Sequence, residues 1–513
     1  QLFVGRRASQ LVTIFVEGAV VSLARSKDVE GLTGRTFGAF GSVSVNSVGG
    51  VLFDAALSGS ASGNRGLFGA VNPQGAVDLV LQKGADVSAL GFGLPANAKV
   101  SGLSGQITQQ DQLGVFQATL SGTGVNATNN GLVLADTAAG VGALLRTGAP
   151  IAALGGAAAA RVVEVVQSHS SDLLVLSYTL RAGGAAAVTS KTDSGLLLMN
   201  HAGTVSSNVA AREGSAAFEG GGVFGAIAGR ASVAGNEIHF PALFQPTTGR
   251  AVQALFSMTS DGATTSRGPT VGDAAVGVAG ATYASFPASS QMNGEALFRA
   301  TLRGVPAARN EGLWNEGDGE PLMIKGGEVI PGSSLLCSRI LRYWPAGPDR
   351  LIVQMQVSGS GVKSSNNQVL VLIQENDERL LLMRTGFPAA GTGTATVRSI
   401  SAVDVNPVSG AYAVLGTLGG APAATNQVLW SGSANAGNAV ALQVLRLPVL
   451  RLRKGQTYAT ASTMGTVRSI SLKPAVDATG AGGRGLSQAV GANGTIGVTL
   501  LGDLKISEMV LLP

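Results

Sequence analysis

The sequence predicts an all-β chain folded as a single β-propeller, with eight blades of about four antiparallel strands and seven as the alternative count. Three observations predict it. A strand-and-turn unit recurs along the whole chain, helical periodicity is absent, and the two ends carry complementary halves of one unit. The repeat is anchored at Phe53, Phe116, Val175, Phe240, Phe298, Val353, Val414 and Val498, about every 64 residues. Each anchor sits in an alternating apolar segment bounded by turn residues, as in Gly294-Glu-Ala-Leu-Phe298-Arg-Ala300-Thr-Leu302-Arg-Gly304. Alternation with period two is a strand signal.

A second element follows each anchor: Gly66-Leu-Phe68, Gly131-Leu-Val133, Gly312-Leu-Trp314 and their relatives. An Asn stands close before it at Asn64, Asn130, Asn310, Asn367 and Asn426, where a tight turn is expected. A third element is apolar and ends in a basic residue and Gly, as in Leu380-Leu-Leu-Met-Arg384-Thr-Gly386. With one strand before the anchor, each unit holds four strands. Four antiparallel strands repeated radially make a propeller blade.

The ends complete the ring. Residues 1–37 read as the second half of a unit and residues 476–513 as the first half, so a blade shared by both termini closes the circle and removes bare edges. Between them the units run approximately 38–100, 101–160, 161–222, 223–281, 282–336, 337–396 and 397–475, all within one domain, 1–513.

Composition agrees. Gly supplies 74 of 513 residues, charged residues are 13% and aromatics 5%. Gly at this density disfavours helices. Hydrophobic content of 45% excludes a disordered chain. The single Cys337 has no partner for an intrachain disulfide. A net charge of +5 spread over the chain is too thin for a nucleic-acid footprint. No run of 18 apolar residues is present, so no membrane-spanning helix is expected. The chain opens on Gln1 rather than Met, which reads as a secreted protein whose signal peptide has been removed.

The pattern Asn46-x-x-Gly49-x-x-x-Phe53, followed by Gly-Leu-Phe/Trp and a Leu-rich strand with a basic residue and Gly, resembles the bacterial tandem-repeat proteins named for an NxxGxxAF motif. The resemblance covers nearly the whole chain, and its best copies are the first and fifth units. It implies a propeller at the cell surface or secreted from it, and no catalytic residues, because the motif is structural. Gln112, Ser171 and Asp349 depart from it where Gly would stand, and Leu52 and Leu297 replace the small residue before Phe.

Candidate site residues are few. Asn46, Gly49, Gly66, Gly131, Gly294 and Gly312 are expected to hold turns. Lys83, Arg146, Arg212, Lys325, Arg384 and Lys454 recur at comparable places in six units. In a closed ring they would form a circle of cations able to bind an anionic polymer or a neighbouring copy; each could instead cap a strand end. His169, His201 and His239 lack metal-ligand spacing, and the acidic stretch Asn315–Glu320 lacks the order of a calcium loop. No nucleophile elbow and no cofactor motif is present, so no cofactor is expected. These features describe a non-enzymatic surface protein that self-assembles into a homo-oligomeric layer or filament. The alternatives are a glycan- or polyanion-binding module and a polysaccharide-acting enzyme.

Overall fold

The computed structural model describes residues 3–7, 10–14, 21–26, 35–59, 61–71, 76–110, 113–137, 139–183, 187–200, 205–217, 221–227, 229–261, 265–374, 377–435, 447–459, 464–474, 477–503 and 507–512. Eight antiparallel sheets of four or five strands form an eight-bladed β-propeller. The anchors of the sequence repeat all fall on the second strand of a blade: Val51–Leu57, Leu113–Ser121, Leu173–Leu180, Glu237–Gln245, Glu295–Arg303, Leu351–Ser358, Ala411–Gly419 and Ile496–Leu501.

The repeat is built on cross-strand pairs. Phe53 lies directly opposite Phe68, Phe240 opposite Phe256 and Phe298 opposite Trp314. The rings of each pair stack at 5.7, 5.7 and 5.9 Å, which adds to the area they bury. In the first and fifth blades the Gly two residues before the third-strand aromatic makes room for its ring, whereas the fourth and seventh carry Ala254 and Val428 there. A Cβ on Gly312 would stand 2.5 Å from the Trp314 ring. Trp314 and Trp430 then donate their indole N–H to the carbonyls of Val276 and Ala390, at 3.0 Å each, in the loops that lead into their blades. Gly66, Gly131 and Gly312 are therefore strand residues with extended backbones, not turn residues. The expected turn role holds at Gly49 and Gly294, with φ of 83° and 78°.

The core lies between adjacent blades. One cluster joins Trp344 and Leu370 of the sixth blade to Val403, Val414 and Trp430 of the seventh. Another joins Val175 and Leu198 of the third to Phe240 and Phe256 of the fourth.

Both ends of the chain build the eighth blade. Ser469–Ser471, Ile496–Leu501 and Ser507–Leu512 supply three strands, and Val21–Arg25 pairs with the last as the fourth. An additional hairpin, Phe3–Arg7 with Gln10–Ile14, precedes it.

First strands converge on the ring axis. They are Phe37–Val45, Lys99–Gln110, Ala157–Gln167, the pair Val223–Phe224 and Ser232–Ala234, Thr282–Met292, Leu336–Pro345, Thr396–Val405, and Ser469–Ser471. In six blades the first strand slips register twice against the second, as at Cys337/Arg339 and Ile340/Arg342. Each slip inserts unpaired residues, adds twist and re-aims side chains.

Candidate functional site

Between Ser471 and Ile496 the chain leaves the eighth blade and crosses the ring. Gly480 O accepts from Tyr343 N at 3.0 Å, and Gly482 N donates to Tyr343 O at 2.9 Å, on the first strand of the sixth blade. Gly485 O accepts from Gln167 N at 2.8 Å in the third blade, and Gln488 O from Val45 N at 2.8 Å in the first. Asp404 Oδ2, in the seventh, accepts from Ala489 N at 2.6 Å and Val490 N at 3.1 Å. These partners stand at or near the C-terminal ends of the first strands, so this strap covers one mouth of the channel.

Arg484 fixes the strap. It is buried to 1% exposure and reaches three groups. Its Nη1 donates to Glu164 Oε1 at 3.2 Å and Asp477 Oδ2 at 3.0 Å. Its Nη2 donates to Glu164 Oε2 and, at 2.8 Å, to the Ala231 carbonyl. Two carboxylates and a carbonyl thus offset one buried guanidinium.

The first strands carry other cations, three of them towards their N-terminal ends and one, Arg342, beside Gly480 of the strap. Arg161 in the third blade, Arg339 in the sixth and Arg398 in the seventh are exposed, and Arg342 is half-buried. No hydrogen bond or ion pair holds these four guanidinium groups among the described residues. Arg339, Arg342 and Arg299 line a cavity of about 710 Å³ between the fifth, sixth and seventh blades, with Gln354 and the Asp477–Gly480 stretch of the strap. Arg299 is already engaged, donating to Ile340 O at 2.9 Å and Thr479 O at 3.1 Å. Nothing in the sequence repeat marks Arg161, Arg339, Arg342 or Arg398. They lie on first strands, where double slips break the alternation that reveals which way a side chain points.

The six recurrent cations stand elsewhere. Arg146, Arg212 and Arg384 end the outermost strands of the second, third and sixth blades. Lys83, Lys325 and Lys454 come one residue after the outermost strands of the first, fifth and seventh. The three arginines donate through Nε to Asn129 O, Thr192 O and Asn366 O at 3.1, 3.2 and 2.9 Å. Lys325 Nζ donates to Asn310 Oδ1 at 3.1 Å. In the first and seventh blades Gln82 and Arg453 reach the corresponding turn carbonyls, Gly63 O and Thr425 O. Each acceptor belongs to the turn between the second and third strands, so this position ties a strand end to a turn at the outer edge of the ring. Asn46 is buried and ties another turn, its Oδ1 accepting from Gly50 N at 2.6 Å and Val48 N at 3.1 Å.

The histidines are separate. His239 is 2% exposed, and burial pushes its imidazole down to about 4, with the Gly294 carbonyl opposing the shift. The ring is neutral, donates from Nε2 to Gly294 O at 3.1 Å and accepts at Nδ1 from Ser257 Oγ at 2.8 Å. Burial also takes His169 down to about 4. His201 lies outside the described residues. Among the described residues no group of three or more His, Cys, Asp or Glu is placed to hold a metal. Burial, then the nearby Glu311, push the Cys337 thiol up to about 12, so it is no thiolate nucleophile at neutral pH. No helix is long and apolar enough to cross a membrane among the described residues.

A family model described as a family of unknown function, DUF7453, matches residues 4–207 and again 200–459. None of the curated proteins matches the sequence. Among solved structures, the chain is similar to a prolyl endopeptidase at 10% identity and a TM-score of 0.43, covering 88% of this chain and 56% of that one. Prolyl oligopeptidase B from Galerina marginata follows at 9% and 0.40, covering 83% and 54%. The β-propeller domain of the Trilobed protease from Pyrococcus furiosus gives 8% and 0.35, covering 77% and 93%. The chain thus spans little more than half the length of the two whole enzymes, and the likeness is one of fold. The function expected from composition is corrected here. Peptidases and an oligogalacturonate lyase stand among the solved structures the chain is similar to in fold. Four of the six cations meant for a polyanion ring, Arg146, Arg212, Lys325 and Arg384, are tied to turns at the outer edge.

Proposed function

This chain belongs to the family of unknown function DUF7453, and on that premise we propose that its propeller binds extended acidic peptides in the central channel without cleaving them. The observation that carries the reading is the set Arg161, Arg339, Arg342 and Arg398: four guanidinium groups on channel-lining strands with no hydrogen-bond or ion-pair partner among the described residues. A guanidinium recognises a carboxylate bidentately. The peptide class follows from the strand edges. A first strand has one free edge facing the axis, and an extended peptide can add to such an edge through its backbone. The chain's own strap does so at Tyr343, pairing in parallel through Ala481. The ligand enters by the mouth opposite the strap.

The test is fluorescence anisotropy with a labelled Glu-rich peptide and a Lys-rich peptide of equal length. The acidic peptide is expected to bind with an affinity that falls as salt rises, and to be recovered intact by mass spectrometry. Replacing Arg161, Arg339 and Arg398 together by Ala should weaken it more than tenfold. Replacing Arg384, which is tied to a turn, should leave binding unchanged. Equal binding of both peptides, or no effect of the triple replacement, overturns the reading.

A further inference from the structure

In the wall of the cavity between the fifth, sixth and seventh blades stands a buried amide oxygen without a hydrogen-bond partner. Gln354 is 4% exposed, lines the cavity, and its Oε1 has no hydrogen-bond partner. Polar groups buried this far are nearly always bonded, and an unmet one is costly. Turning the amide about its last bond exchanges its oxygen and nitrogen, so one buried polar atom stays unmet in either orientation. Directly opposite it in the ladder is Arg342, on the same face of the sheet.

The same pair of positions is used differently in other blades. In the third it is Glu164 opposite Ser177, with Glu164 engaged by Arg484. In the fifth it is Ala288 opposite Arg299, with Arg299 engaged by the Thr479 carbonyl of the strap. In the seventh it is Ala402 opposite Leu415, an apolar pair. Only in the sixth, of these four, does the pair combine an uncommitted cation with an unmet amide. The one carboxylate on the cavity wall, Asp477, is taken by Arg484.

We infer that Arg342 and Gln354 form a subsite for the C-terminal residue of a bound peptide, with Arg342 taking the terminal carboxylate and Gln354 Oε1 accepting that residue's N–H. This rests on the peptide-binding reading above and specifies which end of the peptide the channel reads. A C-terminal residue carries its carboxylate and its N–H on one carbon. That spacing suits two side chains whose Cβ atoms stand about 5 Å apart across a ladder. An acidic side chain separates the two groups by further rotatable bonds and cannot meet both so economically. Arg339 adds a second positive charge at the same cavity, and the volume admits a terminal residue or two.

The experiment compares three forms of one acidic peptide by anisotropy: free C-terminal acid, C-terminal amide, and free acid N-methylated at its last peptide bond. The intact protein is expected to prefer the acid over the amide at least tenfold and over the N-methyl form at least fivefold. Arg342→Met should abolish the first preference. Gln354→Leu should abolish the second and leave the first. Leu is the residue already present at the corresponding place in the seventh blade, Leu415, so this variant is compatible with the fold; thermal melting of each variant checks that. Binding of all three forms alike, with the acidic peptide still favoured over a basic one, overturns the subsite and leaves the channel reading standing. Failure of every acidic peptide to bind overturns both.

Discussion

Arg484 and Glu164 meet across 320 residues of sequence, with Nη1 and Oε1 3.2 Å apart at the covered mouth of the channel. The contact joins a segment belonging to the closing blade to the first strand of the third blade. The ring is therefore closed twice: at its rim by Val21–Arg25 on the last strand, and at its axis by the strap.

Breaking the axial closure should destabilise the whole ring. Arg484→Met leaves Glu164 and Asp477, both partly buried, without their counter-charge. Removing one partner of a fully buried pair costs about 3 to 5 kcal/mol, an upper bound here. The urea midpoint should fall clearly. Glu164→Gln, which keeps the shape and an acceptor, should cost less. Equal midpoints for the native protein and Arg484→Met would show that the strap adds nothing to stability.

His239 makes stability depend on pH. Its imidazole sits at about 4 in the folded chain, because burial disfavours the charged form, and at its ordinary value of 6.5 when unfolded. Between these values the unfolded chain binds the proton and the folded chain does not. This contribution is therefore fully present above pH 6.5, is lost as pH falls towards 4, and is constant below that. The loss amounts to about 3 kcal/mol at most. His239→Gln should show a smaller drop in urea midpoint between pH 7 and pH 4.5 than the native protein, and an identical drop would refute the assignment.

The blades were legible in the sequence because each anchor and its third-strand partner must be apolar and opposed, and Phe53–Phe68 or Phe298–Trp314 leave that mark on any unit that uses them. Closure by both ends was legible for the same reason, as Val498 faces Val510, but the expected halves 476–513 and 1–37 are in fact three strands from Ser469 onward and one, Val21–Arg25. The channel was not. Arg161 and Arg342 follow register slips, so their period-two phase is lost. The strap has no periodicity, and its bonds to Tyr343, Gln167 and Val45 are backbone bonds that no side chain announces. The recurrent cations were visible, but the acceptors that occupy most of them are main-chain carbonyls, which sequence spacing does not reveal.

The Gly of the Gly-Leu-aromatic element should tolerate no Cβ where the aromatic is Trp. At Gly312 an added Cβ would stand 2.5 Å from the Trp314 ring and 3.0 Å from the Met323 carbonyl. The ring has no room to move, since Trp314 is 1% exposed and its N–H is bonded to Val276 O. Gly312→Ala should cost about 1 to 3 kcal/mol, as overpacking does. Gly142→Ala, where nothing stands within 4 Å of the new Cβ and φ is not positive, meets neither crowding nor strain and should cost less. Equal melting temperatures for Gly312→Ala and the native protein would refute the packing argument.

Asp404 should govern how firmly the strap is held, independently of Arg484. Its Oδ2 takes the N–H groups of both Ala489 and Val490, and Asn406 of the same blade donates from Nδ2 to Val490 O at 3.2 Å. In Asp404→Ala the two buried N–H groups lose their acceptor, at about 1 to 3 kcal/mol each. Because Arg484 and its carboxylates remain, the loss should stay local to the far end of the strap. Hydrogen exchange of residues 486–491 should then speed up more than that of residues 479–484, while the strands of the third blade keep their protection. Uniform acceleration over the whole strap would mean that it opens as one piece, with Asp404 and Arg484 acting as a single latch.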